Sequence, residues 1–194
     1  MNEEILNLDS LKKDYGGILI GNRIPRDYFV TKGTGQSDIA VHAGSYHLAL
    51  KSAGVEMCNI MTYSSILPKI ANKIAKPTCI EHGAVMETIM SSYTSGKGKR
   101  ATAGIIYAWL FDKKTNEKFG GLVCEHFGSY EVDEIIEKLK GSLHELYQNG
   151  FSDKYRLGEA ETLTESFIPV KTYGTALVAL CFVNYLYPII KVGE

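Results

Sequence analysis

Ser64 and Ser65 stand side by side in the run Asn59-Ile-Met-Thr-Tyr-Ser-Ser-Ile-Leu-Pro68, between an apolar segment and a proline. A serine hydroxyl can attack the carbonyl of the residue before it. At this pair the Ser65 hydroxyl would attack the Ser64 carbonyl and turn the amide into an ester. Elimination across the Ser65 side chain would release the upstream piece. The dehydroalanine left behind would hydrolyse to a pyruvoyl group and ammonia. Such a reaction needs a strained turn and donors that stabilise the oxyanion. A tight turn after a strand, with Pro68 three residues on, is a place that can hold this geometry. A pyruvoyl carbonyl forms a Schiff base with a substrate amine and accepts the electrons left when carbon dioxide departs. An acid must then protonate the carbanion. Taken alone, the pair also reads as a plain turn at a strand end.

Two further polar residues sit where apolar ones are expected. Asn59 is an amide in a hydrophobic strand, six positions before Ser65, and needs hydrogen-bond partners there. Glu125 is a carboxylate in the apolar run Leu122-Val-Cys-Glu-His-Phe127 and is costly to bury unless paired. Burial would raise its pKa and make it a proton donor near neutral pH. His126 falls on the opposite face of a regular strand from Glu125 and reads as structural. His42 and His82 read as structural or surface residues.

The elements that must position these groups follow from periodicity and breakers. Residues 28–30 form a short strand candidate, and 32–38 (KGTGQSD) read as a loop rich in turn formers. A helix is predicted over 45–53, ending at Gly54. Residues 57–63 form the strand that reaches the serine pair, and an irregular or helix-like piece runs from Pro68 to about Pro77. Strands are predicted over 84–92, 103–111 and 119–127. The first two are joined by a connection too long for a tight hairpin, and the last two by a polar turn over 112–118. Residues 132–148 carry apolar side chains at three- and four-residue spacing, which predicts a helix ended by Asn149-Gly150. Two strands follow, over 164–172 and 175–185, with Gly174 in the turn between them. Residues 1–17 are polar and read as an extension. Adjacent strands with helices set apart predict an α+β layered fold of one domain.

The chain has 194 residues, 45% hydrophobic and 22% charged, and a net charge of −1 from 21 basic and 22 acidic residues. This is a globular composition without the charge footprint of a nucleic-acid binder. The local cluster Lys97-Gly-Lys-Arg100 reads as a solvated loop. The acidic start is unlike a secretory signal, and no run approaches the about 18 apolar residues of a membrane span. Cys58, Cys79, Cys124 and Cys181 lack metal-ligand or redox spacing. They are expected to be reduced and mostly buried, in a cytoplasmic protein with no metal.

The segment ALKSAGVEMCNIMTYSSILP, residues 49–68, resembles the pyruvoyl-dependent arginine decarboxylases of archaea and some bacteria, including the chlamydial type. It is similar to that family's helix, glycine, asparagine-bearing strand and self-cleavage site in unbroken register. HGAVMETIM (82–90), GGLVCEHFG (120–128) and YGTALVALCFV (173–183) are similar too, so the resemblance runs from about Pro25 to Val183. It implies a single domain, 1–194, cut between Ser64 and Ser65. Residues 1–64 become the β chain, and 65–194 the α chain that begins with the covalent pyruvoyl group made from Ser65. Asn59 matches the asparagine beside the cofactor, and Glu125 matches the acid that protonates the carbanion. The implied fold is a layered αββα sandwich, assembled as a trimer or hexamer with active sites between subunits. The implied reaction converts L-arginine to agmatine and carbon dioxide, without nucleic acid or membrane.

One position departs from that pattern. Arginine-using members carry an Asp in the helix before the cleavage strand, and here the position is His47. A guanidinium wants a carboxylate, and histidine cannot accept its donor fork. Either Asp38 or another acid takes the guanidinium, or the substrate differs, with aspartate suited to an imidazolium at His47. A third possibility is an uncleaved, non-catalytic binding subunit.

Overall fold

A computed structural model describes residues 20–189. The polar extension expected over 1–17 lies outside the described residues. The strands are β1 (Ile24–Pro25), β2 (Asp27–Ser37), β3 (Asn59–Thr62), β4 (Ile66–Pro68), β5 (Asn72–Lys73), β6 (Val85–Gly96), β7 (Ala101–Asp112), β8 (Lys118–Gly128), β9 (Tyr155–Phe167), β10 (Tyr173–Phe182) and β11 (Tyr185–Leu186). The helices are α1 (His47–Ala53), entered through a π-helical turn over Val41–Tyr46, and α2 (Val132–Gly150). A five-stranded sheet has the order β3-β6-β10-β2-β5, and a four-stranded sheet the order β4-β8-β7-β9. β1 and β11 make a small antiparallel ribbon.

Side-chain alternation builds four layers from these elements. Between the sheets, Tyr28, Ile89, Val178, Leu180 and Phe182 meet Leu67, Ala103, Ile105, Tyr107 and Val123. On the outer face of the larger sheet, Phe29, Met86, Leu177 and Cys181 carry Ala49, Leu50 and Ala53 of α1. On the outer face of the smaller sheet, Ile106, Leu110, Leu122 and Cys124 carry Ile135, Leu139 and Leu143 of α2. Each fully buried Leu or Ile contributes about 1.5–3 kcal/mol. β10 is apolar on both faces because one face meets the second sheet and the other meets α1. The helix–sheet–sheet–helix order is the αββα sandwich expected from the resemblance.

The predicted loop over 32–38 is instead the second half of β2. Its glycines serve close packing, not a turn. A Cβ on Gly33 would lie 2.3 Å from the Ala49 carbonyl oxygen, and one on Gly35 2.2 Å from that of Ser45. Only glycine lets the helical backbone approach this near. α1 ends as predicted at Gly54, in the left-handed region at φ 71°. Val55 N–H donates to the Leu50 carbonyl and Gly54 N–H to that of Lys51, both at 3.0 Å, a Schellman motif.

Three other boundaries shift. β6 and β7 are longer than predicted, so a short turn joins them, but they lie in different sheets and form no hairpin. β9 begins at Tyr155, nine residues before the predicted start, because much of that strand is exposed and carries no apolar alternation. Gly174 is inside β10, packed under Pro169, and not in a turn. The four cysteines are free; Cys124 and Cys181 are buried, Cys58 is half-buried, and Cys79 is exposed, contrary to the burial expected for it.

Candidate active site

β3 is an edge strand of the larger sheet and β4 an edge strand of the smaller. Only Tyr63, Ser64 and Ser65 join them, so the serine pair is the crossing between the sheets. Both ends of the crossing are pinned. Tyr63 N–H donates to the Thr88 carbonyl at 2.7 Å, and Val123 N–H donates to the Ser65 carbonyl at 3.0 Å. Pro68 is tolerated because β4 is an edge strand.

Within the crossing, Ile66 N–H donates to the Ser64 carbonyl at 3.0 Å and closes a three-residue turn centred on Ser65. The Ser64 carbonyl is the one that the Ser65 hydroxyl would attack. Its oxygen already faces a fixed backbone donor, as a developing oxyanion requires.

Ser65 Oγ donates to Glu125 Oε2 at 3.1 Å. Glu125 lies on β8, opposite Ile105 of β7, on the face that looks between the sheets. Burial pushes its pKa up, and the Ser65 hydroxyl and a backbone N–H partly oppose this by favouring the anion. His126, the next residue, looks the other way, with Nε2 2.9 Å from Ser142 Oγ on α2. The structure therefore brings Ser65 and Glu125 together.

Asn59 and His47 meet elsewhere. They line a cavity of about 350 Å³ with His42, Tyr46, Leu50 and Glu56, and neither Ser65 nor Glu125 lines it. Asn59 Nδ2 donates to the Gly83 carbonyl at 2.9 Å, which holds the amide at the start of β3. His42 stacks on Tyr46 with ring centroids 5.7 Å apart, so it faces this cavity. Asp38 is not among its lining residues. Its Oδ1 accepts from Thr172 N–H at 2.9 Å and from Thr172 Oγ1 at 3.2 Å, which ties down the connection into β10. Those hydrogen bonds hold the Asp38 carboxyl below its ordinary pKa.

Glu56 was missed in the sequence, although it is the acid nearest Asn59 along the chain. The Schellman motif turns the backbone at Gly54 and sets Glu56 against the cavity wall. The Ile66 donor was also invisible, because it is a backbone group whose direction depends on the turn.

The family model for pyruvoyl-dependent arginine decarboxylase (PvlArgDC) matches residues 27–186. The chain is similar to the pyruvoyl-dependent arginine decarboxylase AaxB of Chlamydia abortus and of Chlamydia pneumoniae. To each it is 34% identical over 188 residues, covering 85% of this chain and 94% of the relative. The Chlamydia muridarum AaxB is 33% identical over 187 residues, with the same coverage. With most of the chain matched on both counts, this protein belongs to the pyruvoyl-dependent arginine decarboxylase family, carboxy-lyases that work through a covalently bound pyruvoyl group.

Proposed function

We propose that Ser65 is the source of the pyruvoyl group and that the chain decarboxylates L-arginine to agmatine. The observation that carries this reading is the crossing itself, where the Ser65 hydroxyl is held by Glu125 and the Ser64 carbonyl by Ile66 N–H. The cut would leave residues 1–64 as a β chain and 65–194 as an α chain. The two would stay joined, because β2 of the first pairs with β10 of the second over ten residues.

The residues around Ser65 fit a pyruvoyl group at this position. The Val123 N–H holds the Ser65 carbonyl, and the Glu125 carboxyl sits against the side-chain position. Such a group supplies a carbonyl that binds the substrate amine and draws electrons from its α-carbon. Glu125 then gives its proton from Oε2 to that carbon after carbon dioxide leaves. A carboxyl whose pKa is raised by burial suits this role. Asn59 positions polar atoms near the reacting carbonyl.

Asn59, His47 and Glu56 stand apart from Ser65 within one chain, so the reading joins the two clusters across neighbouring copies. Trimers or pairs of trimers would do this. Exposed Met61, Ile66, Val85 and Phe127 flank the edges where β3 and β4 end their sheets, as an association surface would require. Glu56 is the carboxylate that would take the guanidinium in place of the missing Asp at position 47.

A second substrate, aspartate, is favoured by the two imidazoles that line the same cavity. Carbon dioxide release over a panel of amino acids separates the two. Arginine turnover with no aspartate turnover supports the first reading, and the reverse overturns it. Mass spectrometry of the purified protein tests the cleavage: one intact chain of 21.5 kDa sinks the enzyme reading in favour of an uncleaved binding subunit.

A further inference from the structure

Arg23 and Ser64 line the same cavity, of about 470 Å³, together with Ile24, Thr62, Tyr63 and Pro68. Arg23 sits on a buried anion. The Glu87 carboxylate on β6 is only 1% exposed and contacts the Arg23 guanidinium. Among the described residues no other hydrogen-bond donor reaches either Glu87 oxygen. A buried carboxylate is tolerated only with a fixed cation against it, so Glu87 anchors Arg23 in place. Tyr185 supports the guanidinium from another side, with Arg23 Cζ 5.5 Å from its ring centroid. The Arg23 side chain is still 43% exposed and lines the cavity, where its other donors also meet the Tyr63 and Tyr187 hydroxyls.

Cleavage changes what stands opposite those donors. The Ser64–Ser65 C–N bond gives way to an ester with Ser65 Oγ. A base removes the Ser65 α-proton. The Cβ–Oγ bond breaks, and its electron pair stays on Ser64 as a carboxylate. One water then enters at Ser65 and one ammonia leaves. A neutral amide beside Arg23 thereby becomes an anion at a chain end.

We propose that Arg23, buttressed by Glu87, is the receptor for the α-carboxylate that cleavage creates on Ser64. The inference rests on the self-cleavage reading above. A guanidinium fork takes a carboxylate in two parallel hydrogen bonds and leaves donors for a second anion. Held there, the new β-chain terminus is kept off the Ser65 carbon and out of the space that the substrate must enter. Arg23 is thus a positioning residue and not a catalytic one.

The test compares purified full-length protein with Arg23→Gln and with the charge-neutral double variant Arg23→Gln/Glu87→Gln, which leaves no buried charge orphaned. Intact mass first gives the extent of cleavage. A carboxypeptidase then trims the native cleaved protein, and the β-chain mass is followed in time. Ser64 and Tyr63 should resist removal in the wild type. They should be lost at least ~10-fold faster in the double variant, the size expected when a charge-assisted contact worth roughly 1.5 kcal/mol or more is removed. Equal trimming rates with complete cleavage in both proteins overturn the receptor alone. Wild-type protein that does not cleave overturns the self-cleavage reading and the receptor with it. If the variants fail to fold or to cleave, wild-type protein labelled with ¹³C at serine carbonyls decides the matter. The single titrating serine carboxylate should have a pKa below the ordinary α-carboxyl value of about 3.5. A value at or above it overturns the proposal.

Discussion

Ser65 Oγ donates to Glu125 Oε2 at 3.1 Å across the seam between β4 and β8, which makes the proposed cleavage residue and the proposed acid direct neighbours within one chain. The contact exists because β4 pairs with β8 in the register Ile66–Leu122, so Ser65 stands opposite Val123 and its side chain reaches diagonally to Glu125, two residues further along β8.

Removing the Ser65 hydroxyl removes the nucleophile that would attack the Ser64 carbonyl. Ser65→Ala is expected to give a single chain of 21.5 kDa by intact mass, while the wild type gives two chains. The variant should fold, because Ser65 contributes its carbonyl, not its side chain, to the bond with Val123.

Glu125→Gln should leave cleavage complete, since an amide oxygen still accepts from the Ser65 hydroxyl. Turnover should fall about 10²–10⁴-fold, the usual contribution of a general acid. The pH profile follows from the direction of the Glu125 shift. Burial raises its pKa, so the proton is held to higher pH than on an ordinary glutamate. Activity is present below that raised pKa and lost as pH rises through it. The alkaline limb should disappear from the residual rate of Glu125→Gln, and a limb that persists unchanged assigns it to another group.

Glu56 and His47 are the residues to vary for substrate choice. Glu56→Gln should raise KM for arginine about 10-fold or more with a smaller change in kcat, as loss of a charge-assisted hydrogen bond predicts. His47→Asp should lower that KM by supplying a second carboxylate to the same cavity. Steady-state kinetics on arginine checks both, and an unchanged KM in Glu56→Gln removes this residue from the pocket.

Gly35→Ala should destabilise the protein by about 3 kcal/mol, the upper range for overpacking. Its Cβ would meet backbone atoms, 2.2 Å from the Ser45 carbonyl oxygen and 2.4 Å from the Ala49 nitrogen, which cannot move without lifting α1. For a domain of this size the thermal midpoint should drop by roughly 6–12 °C. Gly98→Ala makes a useful comparison: no steric clash awaits its Cβ, and only the φ of 75° penalises it.

The amino-acid sequence by itself marked Ser65 and Glu125 as candidates, through the resemblance of the segments that carry them, and placed the long amphipathic helix. α2 was legible because a 3.6-residue period is a local pattern. Gly54 was legible for the same reason, since a helix end is local. The tertiary structure alone decided which of these residues meet. Gly33 and Gly35 read in the sequence as turn formers, whereas in the fold α1 and the turn before it rest on them; a close backbone approach leaves no mark on the neighbouring sequence. Asp38 reads in the sequence as available to a guanidinium, but Thr172, 134 residues away, holds its carboxylate. Asn59 and Ser65 are six residues apart, yet Ser65 does not line the cavity that Asn59 lines, because the chain leaves one sheet and enters the other between them. Strand pairing between distant segments sets those relationships, and no spacing along the chain encodes it.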